Sequence, residues 1–240
     1  MESEPNQTRP GPEPTPYERK TLYRLILILT ILVLSIVFSI YSGKDIYIFG
    51  YIMVIVYALG QFRQNRSWKE LGIKYGFVKD LKQVWYYFGI DAFLFQVLPP
   101  TLGIAFVFGL YPELLKHITG RLSIDFGSLE GISTLGGILI LILILTLMEE
   151  VVFRVTIQER LSWFIGTPSA ILFTSIIFGL VHSVGTTGSL PIISLDVIGI
   201  VIDGIFFGII YAKTKNLTLT WATHYIADVV GLLALAFIFG

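Results

Sequence analysis

Long apolar runs, interrupted by polar residues at few places, set the pattern of this chain. Seven segments approach the roughly 20 mostly apolar residues that a membrane-spanning helix needs: 22–41, 46–62, 83–110, 134–161, 168–185, 192–212 and 217–239. The third contains Pro99-Pro100. Adjacent prolines remove backbone donors and clash with the preceding turn, which predicts a kink or a break into two shorter pieces. A break into two spans would raise the count to eight. The first 20 residues are rich in proline and acid and hold no apolar run. They predict a disordered cytoplasmic tail and lack the basic start of a signal peptide. The expected fold class is therefore all-α, a polytopic integral membrane helical bundle of seven to eight transmembrane helices. Residues 21–240 are expected to form one domain.

Composition sharpens that expectation. Hydrophobic residues make up 54% of the chain, charged ones 14%, and the mean hydropathy is +0.76. Soluble domains average roughly 25% charged residues, so this chain lacks the polar cover for a water-facing surface. Its 17 Lys+Arg balance 17 Asp+Glu. Nucleic acid is not an expected partner, because phosphate neutralisation needs clustered excess base. Without cysteine, disulfides, thiolate metal sites and cysteine nucleophiles are excluded together. Of the 34 charges, 18 fall in residues 1–82, six in 83–130 and ten in 131–240. Each of the last ten is either a loop marker or an intramembrane residue with a function.

The basic residues set an orientation. With the N-terminus cytoplasmic and seven spans, 13 Lys and Arg lie inside, among them Lys82, Arg160, Lys213 and Lys215. Lys44, Lys116 and Arg121 lie outside, and Arg154 remains within a span. This bias follows the positive-inside rule. Splitting the third segment reverses every later loop and weakens it. Trp85, Trp163 and Trp221 fall near the expected cytoplasmic ends, as an aromatic belt would require. The sequons at Asn6, Asn65 and Asn216 would then be cytoplasmic and have no meaning for glycosylation.

Ionisable residues inside the last four apolar segments carry the chemistry. Each costs at least roughly 2.5–3.5 kcal/mol to insert, yet Glu149, Glu150, Arg154, His182, Asp203, His224 and Asp228 all lie there. Glu150 and Arg154 are four apart, in the better order for a helical ion pair. Glu149 points about 100° away from Glu150. His224 and Asp228 are again four apart, so the carboxylate can fix the imidazole tautomer. Phe178 and His182 share a face. At roughly 1.5 Å per residue, Glu149 lies about 18 Å from residue 161, and His182 about 21 Å from residue 168. His224 and Asp228 lie about 10 and 16 Å from residue 217. The four form a band near mid-membrane, toward the cytoplasmic side. A carboxylate and two imidazoles, with no Ser or Cys motif, suggest water as the nucleophile, Glu149 as general base and a histidine as its assistant. Glu149, His182 and His224 are also the ligand types a divalent metal such as zinc would take. No helical HExxH pattern is present, so nothing in the spacing compels a metal, and no cofactor is assigned.

Taken in order, Glu149-Glu150-Val-Val-Phe-Arg154, Phe178-Gly-Leu-Val-His182 and His224-Tyr-Ile-Ala-Asp228 match the EExxxR, FxxxH and HxxxN/D motifs. The chain thus resembles the CAAX prenyl protease and bacteriocin-processing (CPBP, or Abi) superfamily of intramembrane endopeptidases. Ser67-Trp-Lys-Glu-Leu-Gly72 is also similar to that group. The motif resemblance covers about 134–240, the expected peptidase core. It implies an eight-helix or similar fold with a cavity open to cytosol and bilayer. It further implies cleavage near the C-terminus of a lipid-modified or membrane-associated protein. Under it, Glu149 activates water, His182 shares it, Glu150 and Arg154 hold the site together, and His224 and Asp228 occupy oxyanion positions. The metal-independent form of this chemistry is preferred. One departure matters: the prenyl protease branch typically has Asn where Asp228 stands. An ionised carboxylate repels an oxyanion that an amide would bind. Asp228 is therefore expected to orient His224 or to be protonated, and the departure weakens a prenylated substrate more than peptidase chemistry.

Simpler roles stand beside these. Arg154 reads as an ion-pair partner, Phe178 as packing, and Gly204-Ile-Phe-Phe-Gly208 as a close helix contact. Asp91, Asp196 and Asp203 match no motif. Asp196 is expected to be solvated near an outer boundary, and His117 to be exposed in an outside loop. Two other classes use the same intramembrane residues: a proton-coupled transporter, and a non-enzymatic membrane scaffold or immunity protein.

Overall fold

The computed structural model describes residues 16–44, 46–65, 77–92, 98–126, 132–184 and 186–239, and every regular element among them is helical. In chain order these are α1 (Pro16–Ser42), α2 (Tyr47–Asn65), α3 (Phe77–Ile90), α4 (Leu98–Val107) and α5 (Tyr111–Phe126). Then come α6 (Ile132–Glu149), a π-helical stretch (Glu150–Gln158), α7 (Glu159–Ile165), α8 (Thr167–His182), α9 (Leu190–Thr214) and α10 (Leu217–Phe239). Residues 20–42, 190–214 and 217–234 are long and apolar enough to cross a membrane, and 47–60 and 167–182 are shorter apolar helices. The outward face of α1 is apolar, with Tyr23, Leu27, Leu34, Val37 and Phe38 exposed. A helix that satisfies its own backbone and presents such a face suits hydrocarbon. The protein is a helical membrane protein.

The third apolar segment is described as two helices, and the break that its prolines predict falls between them, at 93–97, outside the described residues. α3 ends at Ile90 and α4 starts at Leu98, with both prolines in its opening turn, where a missing N–H costs nothing. Residues 111–126, expected as a loop, form α5. Its apolar residues Leu114 and Ile118 pack with Ala105 of α4 and with Ile192 and Leu195 of α9. The first helix begins at Pro16, within the segment expected as tail; residues 1–15 and Ser67–Gly72 lie outside the described residues.

Three packing units place the site. α1 and α2 cross closely at Gly50, where a Cβ would lie 2.2 Å from the Ser35 hydroxyl. Together they cover the π-helical stretch and α8 through Leu32, Val54, Phe153 and Phe178. α8 and α9 pack closely along their small residues. A Cβ on Gly179 would come within 2.6 Å of Val201, one on Gly204 within 3.0 Å of Ser175, and one on Gly208 within 2.9 Å of Gln158. The Gly204 and Gly208 face is thus a helix contact, as expected. Finally α3 lies against α10, with Val84 and Leu219 clustered with Phe206 and Phe207 of α9. Asn216 is buried and its side chain accepts a hydrogen bond from Leu219 N–H. This residue of a chance sequon is the cap of α10.

Candidate active site

The site starts where α6 changes pitch. From Glu150 to Gln158 the helix is π, with backbone bonds that span five residues, not four. The apolar run 134–161 is expected as one membrane-spanning helix, so the change of pitch is a departure. Side chains follow the wider turn: the Thr156 hydroxyl donates to Val151 O at 2.8 Å, and Arg160 Nη1 donates to Val155 O at 2.6 Å. Arg160, counted above as a loop marker, is buried. Nearly the whole stretch is buried on all sides, so packing from α2, α8, α9 and α10 supports a geometry that rarely persists in isolation.

The junction sends two adjacent carboxylates in different directions. Glu150 is fully buried; its Oε2 lies 3.4 Å from Arg154 Nε and its Oε1 2.9 Å from His224 Nδ1. Glu149 is partly open, with its Oε1 3.5 Å from His182 Nε2 and its Oε2 3.8 Å from His224 Nε2. The expected ion pair of Glu150 and Arg154 therefore forms, and Glu149 meets both histidines. Asp228 Oδ2 lies 3.6 Å from His224 Nε2, and its side chain is 45% exposed.

Acceptors fix both imidazole tautomers. His182 Nδ1 lies 2.8 Å from the Phe178 carbonyl, which can only accept, so Nδ1 carries a proton. His224 Nδ1 faces the Glu150 carboxylate in the same way. Each ring thereby turns Nε2 toward Glu149. The short bond orienting His224 comes from Glu150, not from Asp228 as the four-residue spacing suggested.

Aromatic rings brace these groups. Phe178, 2% exposed, lies edge-on to His182 (4.5 Å between centroids) and to Phe153 (5.0 Å). The Arg154 guanidinium sits 5.4 Å from its centre. Phe178 is a packing wedge. Phe207 stacks on His224 at 4.4 Å and 25°, a contact no motif announced. Asp91 is also buried, just past α3 and within electrostatic range of His224 and Asp228. An acid inside an apolar segment was its signal, but its partners lie more than 130 residues away in sequence. Among the described residues, no group of three or more His, Asp and Glu side chains is placed to hold a metal ion, so no step is derived through one.

The arrangement holds a carboxylate between two imidazoles of fixed tautomer, sealed by an ion pair on one side and open on the other. Such a constellation can take a proton from water and return it to a leaving group. Comparison with protein families gives one match. Residues 131–230 match the model of the Rce1-like family, described as type II CAAX prenyl endopeptidase Rce1-like. That segment, which carries all three motifs, is similar to this family. No match is found among curated proteins or among solved structures.

Proposed function

We propose that the protein is an intramembrane endopeptidase of the CAAX prenyl protease type. It hydrolyses a peptide bond of a lipid-modified or membrane-associated protein with water activated by glutamate. The observation that carries this reading is the Glu149 carboxylate flanked by His182 Nε2 at 3.5 Å and His224 Nε2 at 3.8 Å within the Rce1-like segment. These separations exceed a strong direct hydrogen bond and suit a water molecule shared between Glu149 and His182. Glu149 takes its proton as the oxygen attacks the scissile carbonyl, then delivers it to the leaving amine. Because His224 gives Nδ1–H to Glu150, it binds an oxyanion from Nε2 only as an imidazolium. Glu149, Glu150 and Asp228 are placed to offset that charge. The catalytic set is Glu149, His182, His224 and Asp228; Glu150, Arg154 and Phe178 support it. The site lies toward the cytoplasmic side of the bilayer, and the substrate reaches it from there.

The test is cleavage of C-terminal peptides, prenylated and unprenylated, by purified wild type and Glu149→Gln. The variant is expected to keep its thermal unfolding profile and lose about 10²–10⁴-fold in kcat, the range for a general base. Cleavage at the wild-type rate would remove Glu149 from the mechanism. Preference for the prenylated peptide would assign the substrate class, and equal rates would widen it. Stoichiometric zinc in active protein would overturn the metal-independent form.

A further inference from the structure

A second buried polar cluster lies outside the site, between α5, α9 and the connection 183–189. His117, expected to be exposed, is buried, and Asp196, expected to be solvated, is buried beside it. The two are 79 residues apart and meet because α5 packs on α9. His117 Nδ1 lies 2.9 Å from the Thr187 carbonyl and Nε2 lies 3.2 Å from Asp196 Oδ2. A Cβ on Gly188 would stand 3.1 Å from Nδ1, so a residue without a side chain lets the connection lie against the ring. A cavity of about 370 Å³ opens beside it, with Glu113 and Lys116 at its wall.

Proton counting makes this cluster conditional. The Thr187 carbonyl only accepts, so Nδ1 bears a hydrogen. A second proton must lie between Nε2 and Asp196, on the ring or on the carboxyl. The pair thus holds one proton more than a neutral imidazole beside a carboxylate. Without it, two lone pairs face each other in a buried position, and one of the two bonds breaks. Asp196 from α9 is the charged group facing the ring. Glu113 and Lys116 flank it on α5 and are exposed, while the described part of α4 and the connection carry no titratable group.

The connection leads straight back to the site. His182 closes α8, and successive turns follow it: Ser183 N–H to Leu180 O, Val184 N–H to Val181 O, and the Thr186 hydroxyl to Ser183 O at 2.8 Å. We infer that His117 is a positioning residue: with Asp196 it clamps Thr187, and so the end of α8 that carries His182, in a proton-dependent way. The catalytic consequence rests on the peptidase reading above; the clamp itself does not.

Asp196→Asn is the discriminating change. A neutral His117 can still donate from Nδ1 to Thr187 while Nε2 accepts from the new amide, so the clamp no longer needs the extra proton. The chain lacks cysteine, and Thr186→Cys provides a unique label in the connection. Maleimide labelling, normalised to denatured protein, is followed across a pH series. With Asp196 and His117 intact, labelling is expected to quicken about tenfold as pH rises, the worth of one charge-assisted hydrogen bond. With Asp196→Asn it stays slow throughout, and with His117→Ala fast throughout. Wild-type pH dependence in either variant overturns the clamp. The cleavage profile of Asp196→Asn in the otherwise native chain should extend to higher pH than wild type. If cleavage occurs but its profile is unmoved, the positioning role fails and the peptidase stands. Clamp behaviour as expected with no cleavage by any form would instead sink the peptidase reading.

Discussion

A guanidinium and a carboxylate buried together are costly to place and costly to separate. Glu150 and Arg154 are both 0% exposed, and the three guanidinium nitrogens have no hydrogen-bond partner among the described residues. Their mutual charge and the Phe178 face are what compensate. Arg154→Met should therefore destabilise the protein by about 3–5 kcal/mol, because it leaves a buried charge unpaired. Replacing both residues with Met should recover most of that stability, read as thermal unfolding in detergent. Cleavage should not recover, since His224 loses the acceptor that turns its Nε2 toward Glu149. Recovery of both would show that Glu150 serves stability alone. Asp228→Asn, by contrast, should lower cleavage only modestly, because Asp228 lies 3.6 Å from the ring and half in the open while Glu149 and Glu150 still offset the imidazolium; a loss as large as that of Glu149→Gln would return the orienting role to Asp228. Glu149, His182, His224 and Asp228 were legible in the sequence because each interrupts an apolar run at a cost. His117 with Asp196 was not, because burial there arises from the docking of two helices and has no local periodicity.

Helix pairs translate those residues into a geometry. α8 delivers His182 from its last turn, and its distance from Glu149 depends on how closely α8 approaches α9. At Gly179 an added Cβ would meet Val201 of α9 at 2.6 Å. Gly179→Val should cost about 1–3 kcal/mol through overpacking and lower kcat by shifting His182, whereas Gly136→Ala, with open space around it, should leave both unchanged. Equal effects of the two substitutions in unfolding and cleavage assays would contradict a site set by the α8–α9 contact. The start of α4 at Pro99-Pro100 could be read directly, since proline chemistry is local. The π-helical stretch could not. Its polar positions Glu150, Arg154 and Gln158 recur every four residues, as an ordinary α-helix would also place them, so nothing in 150–158 distinguishes a turn of 3.6 residues from a wider one.

At the scale of the molecule, side-chain contacts constrain how the chain threads. Tyr51 meets Phe153 (6.0 Å between rings), and Tyr57 meets Arg160 at 6.0 Å. Both numbers rise together, so α2 and the stretch from Glu150 into α7 run in the same direction. The chain leaves α2 on one side of the bundle and must enter α6 on the other. An odd number of crossings between 66 and 131 satisfies this, which supports one crossing by the broken α3–α4 segment. The ion pair between Lys215 and Glu159 joins the ends of α7 and α9 on the side where α2 ends. The bond from His117 to Thr187 joins α5 to the connection at the opposite side. The positive-inside bias predicts that the first side is cytoplasmic. Single cysteines at Lys82 and Lys213 should react with a membrane-impermeant maleimide from the cytoplasmic face, and cysteines at Lys44 and Lys116 from the other. All four positions are exposed. If Lys116 labels with Lys82 while Lys213 labels with Lys44, the third segment crosses twice and the expected site depth is reversed. Labelling of Lys82 and Lys213 together, opposite Lys116, would place Glu149 the length of the π-helical stretch and α7 from the cytoplasmic side, where a protein anchored by its modified C-terminus would enter.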